Sequence, residues 1–283
     1  MSVFENALEA AKARPGRVVF PEMEDPRIAE AAGWLQEHGV CDALTCDASS
    51  DAQMAALVDG RGIKEGVAKR MLSRPMFRAA AMVAAGEADA MVAGAITPTK
   101  RVIEAASIVI GPEEGVTTAS SYFVMIFPDG REMLFADCAV NVAPDAAQLT
   151  DIARATAASA TALLREARVA LLSFSTGASG TGESVDMVRE VAEATGFTGP
   201  VQADAALNKT IAVTKGVGAG DANTLVFPDL NAGNIAYKLA QELAGAQAVG
   251  PMLQGFAKPV CDLSRGATVD DIVASTVLTL ARA

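Results

Sequence analysis

The chain has 283 residues, of which 51% are hydrophobic and 20% charged, a balance that predicts one large or two modest domains with a sizeable core and excludes disorder. A formal net charge of −11 without any lysine or arginine run excludes nucleic acid and anionic membrane surfaces as partners, and no apolar run approaches the roughly 20 residues that cross a bilayer. One histidine and four cysteines that lack metal-ligand spacing exclude Ser-His-Asp and Cys-His chemistry and leave no metal site to expect.

In chain order, the stretch 1–17 mixes Glu5, Glu9, Lys12 and Arg14 with alanines. It lacks the apolar centre of a secretory signal, so a cytoplasmic protein with reduced, buried thiols is expected. RVVF at 17–20 reads as a strand that stops at Pro21, and 25–36 reads as a helix. His38 follows it just before Gly39, where a helix-capping or surface role is expected. A helix over 75–86 and a strand in ADAMVAGA at 88–95 come next. A change of domain is placed near 111–115. SYFVMIF at 121–127, PDGR and EMLFADCAV at 132–140 read as a β-hairpin. An alanine-rich helix over 145–166, strands at 169–175 and 224–227, and a helix over 234–243 complete the pattern. Strand-then-helix alternation of this kind predicts α/β architecture with a largely parallel sheet.

Four segments carry residues suited to chemistry, each with a structural alternative. GAITPTKRVI at 94–103 brings Lys100 and Arg101 to the carboxyl end of a strand, although surface charges need no function. LLSFSTGASGTGES at 171–184 offers Ser175, Thr176 and several glycines after a strand. Such loops bind phosphates, and they also simply connect elements. In LVFPDLNAGNIAYK at 225–238, Asp229 or Asn231 can cap a helix and Gly233 allows a close approach. In GPMLQGFAKPVCDLSRGATVDDIV at 250–273, Gly-Pro and Lys-Pro predict loops up to a helix opened by Thr268. Thr268 and Asp271 have capping-box spacing. Ser264, Arg265 and the same helix start could instead converge on an anion, with the Asp271 carboxylate one turn away.

Taken together, VVFPEMEDP at 18–26, ADAMVAGA, FADCAVN at 135–141, LLSFST, QADAA at 202–206, VFPDLNAGNIAYK and QGFAKPVCDLSRG at 254–266 resemble the phosphate acetyl/butyryl transferase family over nearly the whole length. The resemblance implies two α/β/α domains with largely parallel sheets, of the isocitrate/isopropylmalate dehydrogenase-like type. The first would be discontinuous, 1–112 plus 252–283, and the second 113–251, with the active site in the cleft between them and a homodimer as the assembly. It implies acetyl transfer between coenzyme A and inorganic phosphate, with acetyl-CoA, phosphate and acetyl phosphate as substrates and no cofactor. A butyryltransferase or a non-catalytic acetyl-CoA-sensing module are the alternatives. By motif, Ser264 and Arg265 match the family's active-site pair and Asp271 its base. Arg101, Arg61, Ser175, Thr176 and Asn234 are the further substrate-binding candidates that the resemblance suggests. The family's lysine is missing from the Ser175–Gly177 loop, and 215–223 is contracted. An ordinary aspartate and a thiol differ by about 4.6 pK units, roughly 6 kcal/mol. Positioning of both substrates must therefore carry much of the rate, in a direct transfer without an acyl-enzyme.

Overall fold

The computed structural model describes residues 2–282, which fall into two compact units, 2–115 with 250–282 and Val116–Val249. The first begins with α1 (Val3–Ala13), β1 (Gly16–Val19), α2 (Pro26–Glu37), β2 (Cys41–Leu44), α3 (Asp51–Val58), α4 (Glu65–Leu72), α5 (Pro75–Ala84), β3 (Ala90–Ala93) and α6 (Thr99–Ala105), which widens into a π-helical turn at Ala106–Ile110. The second contains β4 (Ser120–Ile126), β5 (Glu132–Ala136), α7 (Ala146–Leu164), β6 (Val169–Leu172), α8 (Glu183–Thr195), β7 (Thr198–Val201), α9 (Ala203–Leu207), α10 (Lys209–Lys215), β8 (Thr224–Val226) and α11 (Leu230–Ala244). The chain then runs through β9 (Gln247–Gln254), inside which the unit boundary falls, to β10 (Val260–Asp262) and α12 (Val269–Leu280).

The strand order in the first unit is β2-β1-β3-β10-β9, parallel except for the antiparallel pair β10 and β9. Val18, Val19, Met91 and Val92 are fully buried within it, as continuous apolar strands covered on both faces require. α2 contributes Ile28 and Leu35 to the core, and α12 contributes every residue from Ile272 to Thr279. The loop expected across 250–262 is corrected here: β9 and β10 run through it. The proline at 251 does not break the sheet because the ladder with β10 begins one residue later, at Met252↔Cys261 and Leu253↔Val260.

The order in the second unit is β4-β5-β8-β6-β7. The expected hairpin is present as the antiparallel pair β4 and β5, in register from Tyr122↔Ala136 to Ile126↔Glu132. The other pairs are parallel. Phe123, Phe135, Leu172, Leu225, Phe227 and Tyr237 meet in its core. The mixed α/β architecture with a mostly parallel sheet is thus as the alternation requires. His38 ends α2, with Nδ1 2.8 Å from the Trp34 carbonyl and its ring stacked on Trp34, a capping role and no more.

Candidate active site

In the first unit, the carboxyl ends of β1, β3 and β10 gather the most interconnected polar groups. Glu22, 3% exposed just after β1, accepts four backbone N–H bonds from the turn after β3: Gly94 at 2.7 Å, Ala95 at 2.9 Å, Ile96 at 3.3 Å and Thr97 at 2.7 Å. A buried carboxylate is tolerated only when its lone pairs are met in this way. Asp262 ends β10 beside this turn, 1% exposed. A Cβ on Gly94 would lie 2.5 Å from its Oδ1 and 2.7 Å from the Leu263 nitrogen, so only glycine, here at φ +110°, fits.

The Ser264–Arg265 loop begins two residues after β10. The Leu263 N–H donates to the Ala93 carbonyl at 2.6 Å, and Arg27 of α2 ties the loop down. Its Nη1 donates to the Arg265 and Ala267 carbonyls, both at 2.9 Å, and its Nη2 reaches the Ala95 carbonyl at 3.2 Å. Asp25, the N-cap of α2, holds the same guanidinium at 2.7 Å, and that bond draws the Asp25 carboxyl below the usual carboxylate range despite its burial. The backbone of the loop is therefore fixed while the Ser264 and Arg265 side chains are exposed. The Arg265 guanidinium has no ion-pair or hydrogen-bond partner among the described residues, and Ser264 Oγ accepts from the Gly266 N–H at 3.3 Å.

The capping box expected at α12 is present. Asp271 Oδ2 accepts from the Thr268 N–H at 3.0 Å and hydroxyl at 2.8 Å, and Thr268 Oγ1 accepts from the Asp271 N–H at 3.2 Å. Oδ1 of the half-exposed Asp271 carries no such bond, so capping leaves one carboxylate oxygen available. The other two arginines suggested by sequence have partners nearby. Arg101 pairs with Glu104 at 2.6 Å on the exposed face of α6. Arg61 donates to the Ile108 and Ser107 carbonyls at 3.0 and 3.2 Å, which satisfies the end of the π-helical turn.

The second-unit candidates are held by protein groups. Ser175 is buried, with Oγ 3.2 Å from Ser179 Oγ, and the buried Thr176 exchanges bonds with Gln202 at 3.2 and 3.1 Å. Lys215 Nζ donates to Gln202 Oε1 and pairs with Asp204, each at 2.8 Å, so a cation from α10 stands next to a loop that lacks its own. Asn234 donates from Nδ2 to the Cys138 carbonyl at 3.0 Å. Gly233 lets α11 approach the turn after β5, since a Cβ there would lie 2.2 Å from the Asp137 carbonyl oxygen. The buried Asp137 carboxylate anchors that turn, accepting from Ser121 Oγ, from the Ala139, Val140 and Asn141 N–H groups at 3.0, 3.2 and 2.8 Å, and from Asn141 Nδ2 at 2.6 Å.

All four cysteines are free and buried. Burial pushes the Cys261 thiol up to about 12 and the Cys138 thiol well above its ordinary value, so neither is poised as a nucleophile. Sequence reading missed Glu22, Arg27 and Asp262 as parts of the site. Glu22 and Asp262 lie inside stretches that carried the family resemblance, and Arg27 follows one directly, but nothing local says what they touch.

Residues 48–280 match the family model described as "Phosphate acetyl/butaryl transferase". A phosphate acetyltransferase from Paracoccus denitrificans is 39% identical over 99% of this chain and 98% of its own length. One from Nitrosomonas europaea is 39% identical over 94% of the chain, but the chain spans only 44% of that longer relative. The crystal structure of a phosphotransacetylase from Streptococcus pyogenes superposes with a TM-score of 0.92 at 34% identity, covering 99% of this chain and 97% of that one.

Proposed function

The chain belongs to the phosphate acetyl/butaryl transferase family, and from that premise we propose that it catalyses reversible acetyl transfer between coenzyme A and inorganic phosphate. The observation that carries the site assignment is the Ser264–Arg265 loop, whose backbone is clamped by Arg27 while its guanidinium stays unpaired. A free guanidinium on a rigid loop suits the bidentate binding of a phosphoryl group. Ser264 and neighbouring N–H groups would stabilise charge on the carbonyl oxygen as the sulfur adds. Asp271 would take the thiol proton on Oδ1, the oxygen that capping leaves unoccupied.

The transfer is direct. The thiolate attacks the acetyl carbonyl, the bond to phosphate breaks, and phosphate leaves with the electron pair while Asp271 holds the proton. In the other direction phosphate attacks the thioester and the proton returns to sulfur. Arg61, Arg101, Ser175, Thr176 and Asn234 are assigned to substrate contacts by motif alone. Their present bonds to protein groups mean that any such contact requires them to exchange partners.

No described helix is long and apolar enough to cross a membrane, and four reduced, buried thiols suit the cytoplasm. A homodimer is part of the proposal. On α11, Ile235, Leu239 and Leu243 are 56%, 51% and 81% exposed and recur every four residues, an apolar stripe of the kind a second copy would cover. Sedimentation at the mass of a single chain would remove that assignment. The activity itself is tested by following thioester absorbance after mixing the protein with coenzyme A and acetyl, propionyl or butyryl phosphate. Rapid thioester formation from acetyl phosphate is expected, and no thioester from any of the three would refute the proposal.

A further inference from the structure

Glu22 and Asp137 are buried acids met by four and five hydrogen-bond donors. Asp262 differs from both. It is equally buried, at 1% exposure, yet neither carboxyl oxygen has a partner within hydrogen-bond limits among the described residues, the Thr99 hydroxyl being the one donor close enough to act on it. Its Oδ1 lies against the Gly94 turn, two residues before Ser264. We propose that Asp262 is a positioning residue for the reaction, a buried acid that in its neutral form keeps the Gly94 turn packed on the Ser264–Arg265 loop.

The physical basis is the cost of a buried charge. A neutral carboxyl fits a donor-poor space, whereas a carboxylate there must draw in water or a donor. The Gly94 turn is in its way, since it lies against Oδ1 on one side and against the Leu263 backbone on the other. Ionisation would therefore pry the turn away from the loop that carries Arg265. The surroundings agree with this reading. Burial is the largest influence on Asp262 and, with the Glu22 charge, pushes it up to about 7, while the Thr99 hydroxyl of α6 pulls it part of the way back.

Of the other charged groups, Arg27 of α2 is committed to Asp25 and to the Arg265, Ala267 and Ala95 carbonyls. On α6, Lys100 is exposed and Arg101 is paired with Glu104. On β10, the Cys261 thiol points to the Pro251 carbonyl and to Thr279 and Ser275 of α12. The Gly94 turn offers only backbone, and its N–H groups are spent on Glu22.

The sign follows from the raised value. An exposed aspartate loses its proton near pH 4, and the packed Asp262 keeps its proton until about 7. The packed arrangement is at full strength below about pH 4, weakens as the pH rises, and is weakest once the packed group itself ionises. Turnover should thus fall as the pH passes upward through about 7.

The proposal rests on the phosphate-binding reading of Arg265, and the test separates the two. Carbon-13 NMR of labelled protein without substrates should show the Asp262 carboxyl titrating near neutrality. The Ser264–Gly266 amides should follow with the same midpoint, and Asp262→Asn should abolish their movement. In the thioester assay, Asp262→Ala should lose about tenfold in kcat or more, and Asp262→Asn should recover most of it while lacking the wild-type decline above neutrality. An Asp262 ionised throughout pH 5–9, amides that ignore its titration, or an Asp262→Asn profile that keeps the wild-type decline would each overturn the proposal. If the coupled titration is found while Arg265→Ala turns over normally, the reading of Arg265 fails and the packing role of Asp262 stands.

Discussion

Replacing Arg265 by alanine should lower kcat/KM for acetyl phosphate about 100- to 1,000-fold, or roughly 3–4 kcal/mol of transition-state binding. The size follows from what a guanidinium does for a phosphoryl group. Two parallel charge-assisted bonds are each stronger than neutral ones, and the neighbouring cation, Arg27, is already committed to Asp25 and to the loop carbonyls. The side chain is exposed and makes no ion pair among the described residues, so the melting temperature should change little. Arg265→Lys should recover only part of the loss, because an ammonium is a point charge without the planar fork. Initial rates at varied acetyl phosphate and coenzyme A check this. The defect should sit on acetyl phosphate and phosphate, and unchanged kinetics would remove Arg265 from the mechanism.

The second large effect is expected at Asp271. Asp271→Asn should reduce kcat by about 100- to 10,000-fold, the usual range for losing a positioned base. The difficulty is that Asp271 also caps α12, and a capping defect could imitate a chemical one. Three expected differences separate them. Asparagine can still accept from the Thr268 N–H and hydroxyl, so the cap survives, losing only the charge–dipole contribution of about 0.3–1 kcal/mol. Thr268→Ala breaks the box from the other side, at about 1 kcal/mol of stability, but leaves the carboxylate in place. The Asn variant should therefore be nearly as stable as the parent and almost inactive, whereas the Ala variant should be less stable and substantially active. Equal losses of activity in the two would reduce Asp271 to a cap.

The α/β alternation, the β4–β5 hairpin and the α12 cap were legible in the sequence because each is written over a few consecutive residues. Apolar runs on either side of Pro128-Asp129-Gly130 mark the hairpin, and Thr268 with Asp271 marks the helix start. The strand character of β9 was hidden by Gly250-Pro251, which reads locally as a break; pairing with β10 only from Met252 onward lets the strand survive it. The candidate site was half legible. Ser264, Arg265 and Asp271 could be picked out by motif, but the groups that position the loop could not. Arg27 reaches carbonyls 238 and 240 residues further along the chain, and Glu22 collects amides more than 70 residues away. Such contacts depend on the parallel order β1-β3-β10, which brings three distant strand ends side by side. Asp262 was hidden for a related reason: that it is buried and unpartnered depends on where Gly94 lies.

Withholding coenzyme A gives the most direct test of whether the acetyl group passes straight between sulfur and phosphate. Protein incubated with acetyl phosphate and isotopically labelled inorganic phosphate, with no thiol acceptor present, should transfer no label into acetyl phosphate, and exchange should begin only when coenzyme A is added. Label entering acetyl phosphate at the rate of turnover without coenzyme A would mean that the protein itself carries the acetyl group, contradicting direct transfer under Arg265 and Asp271.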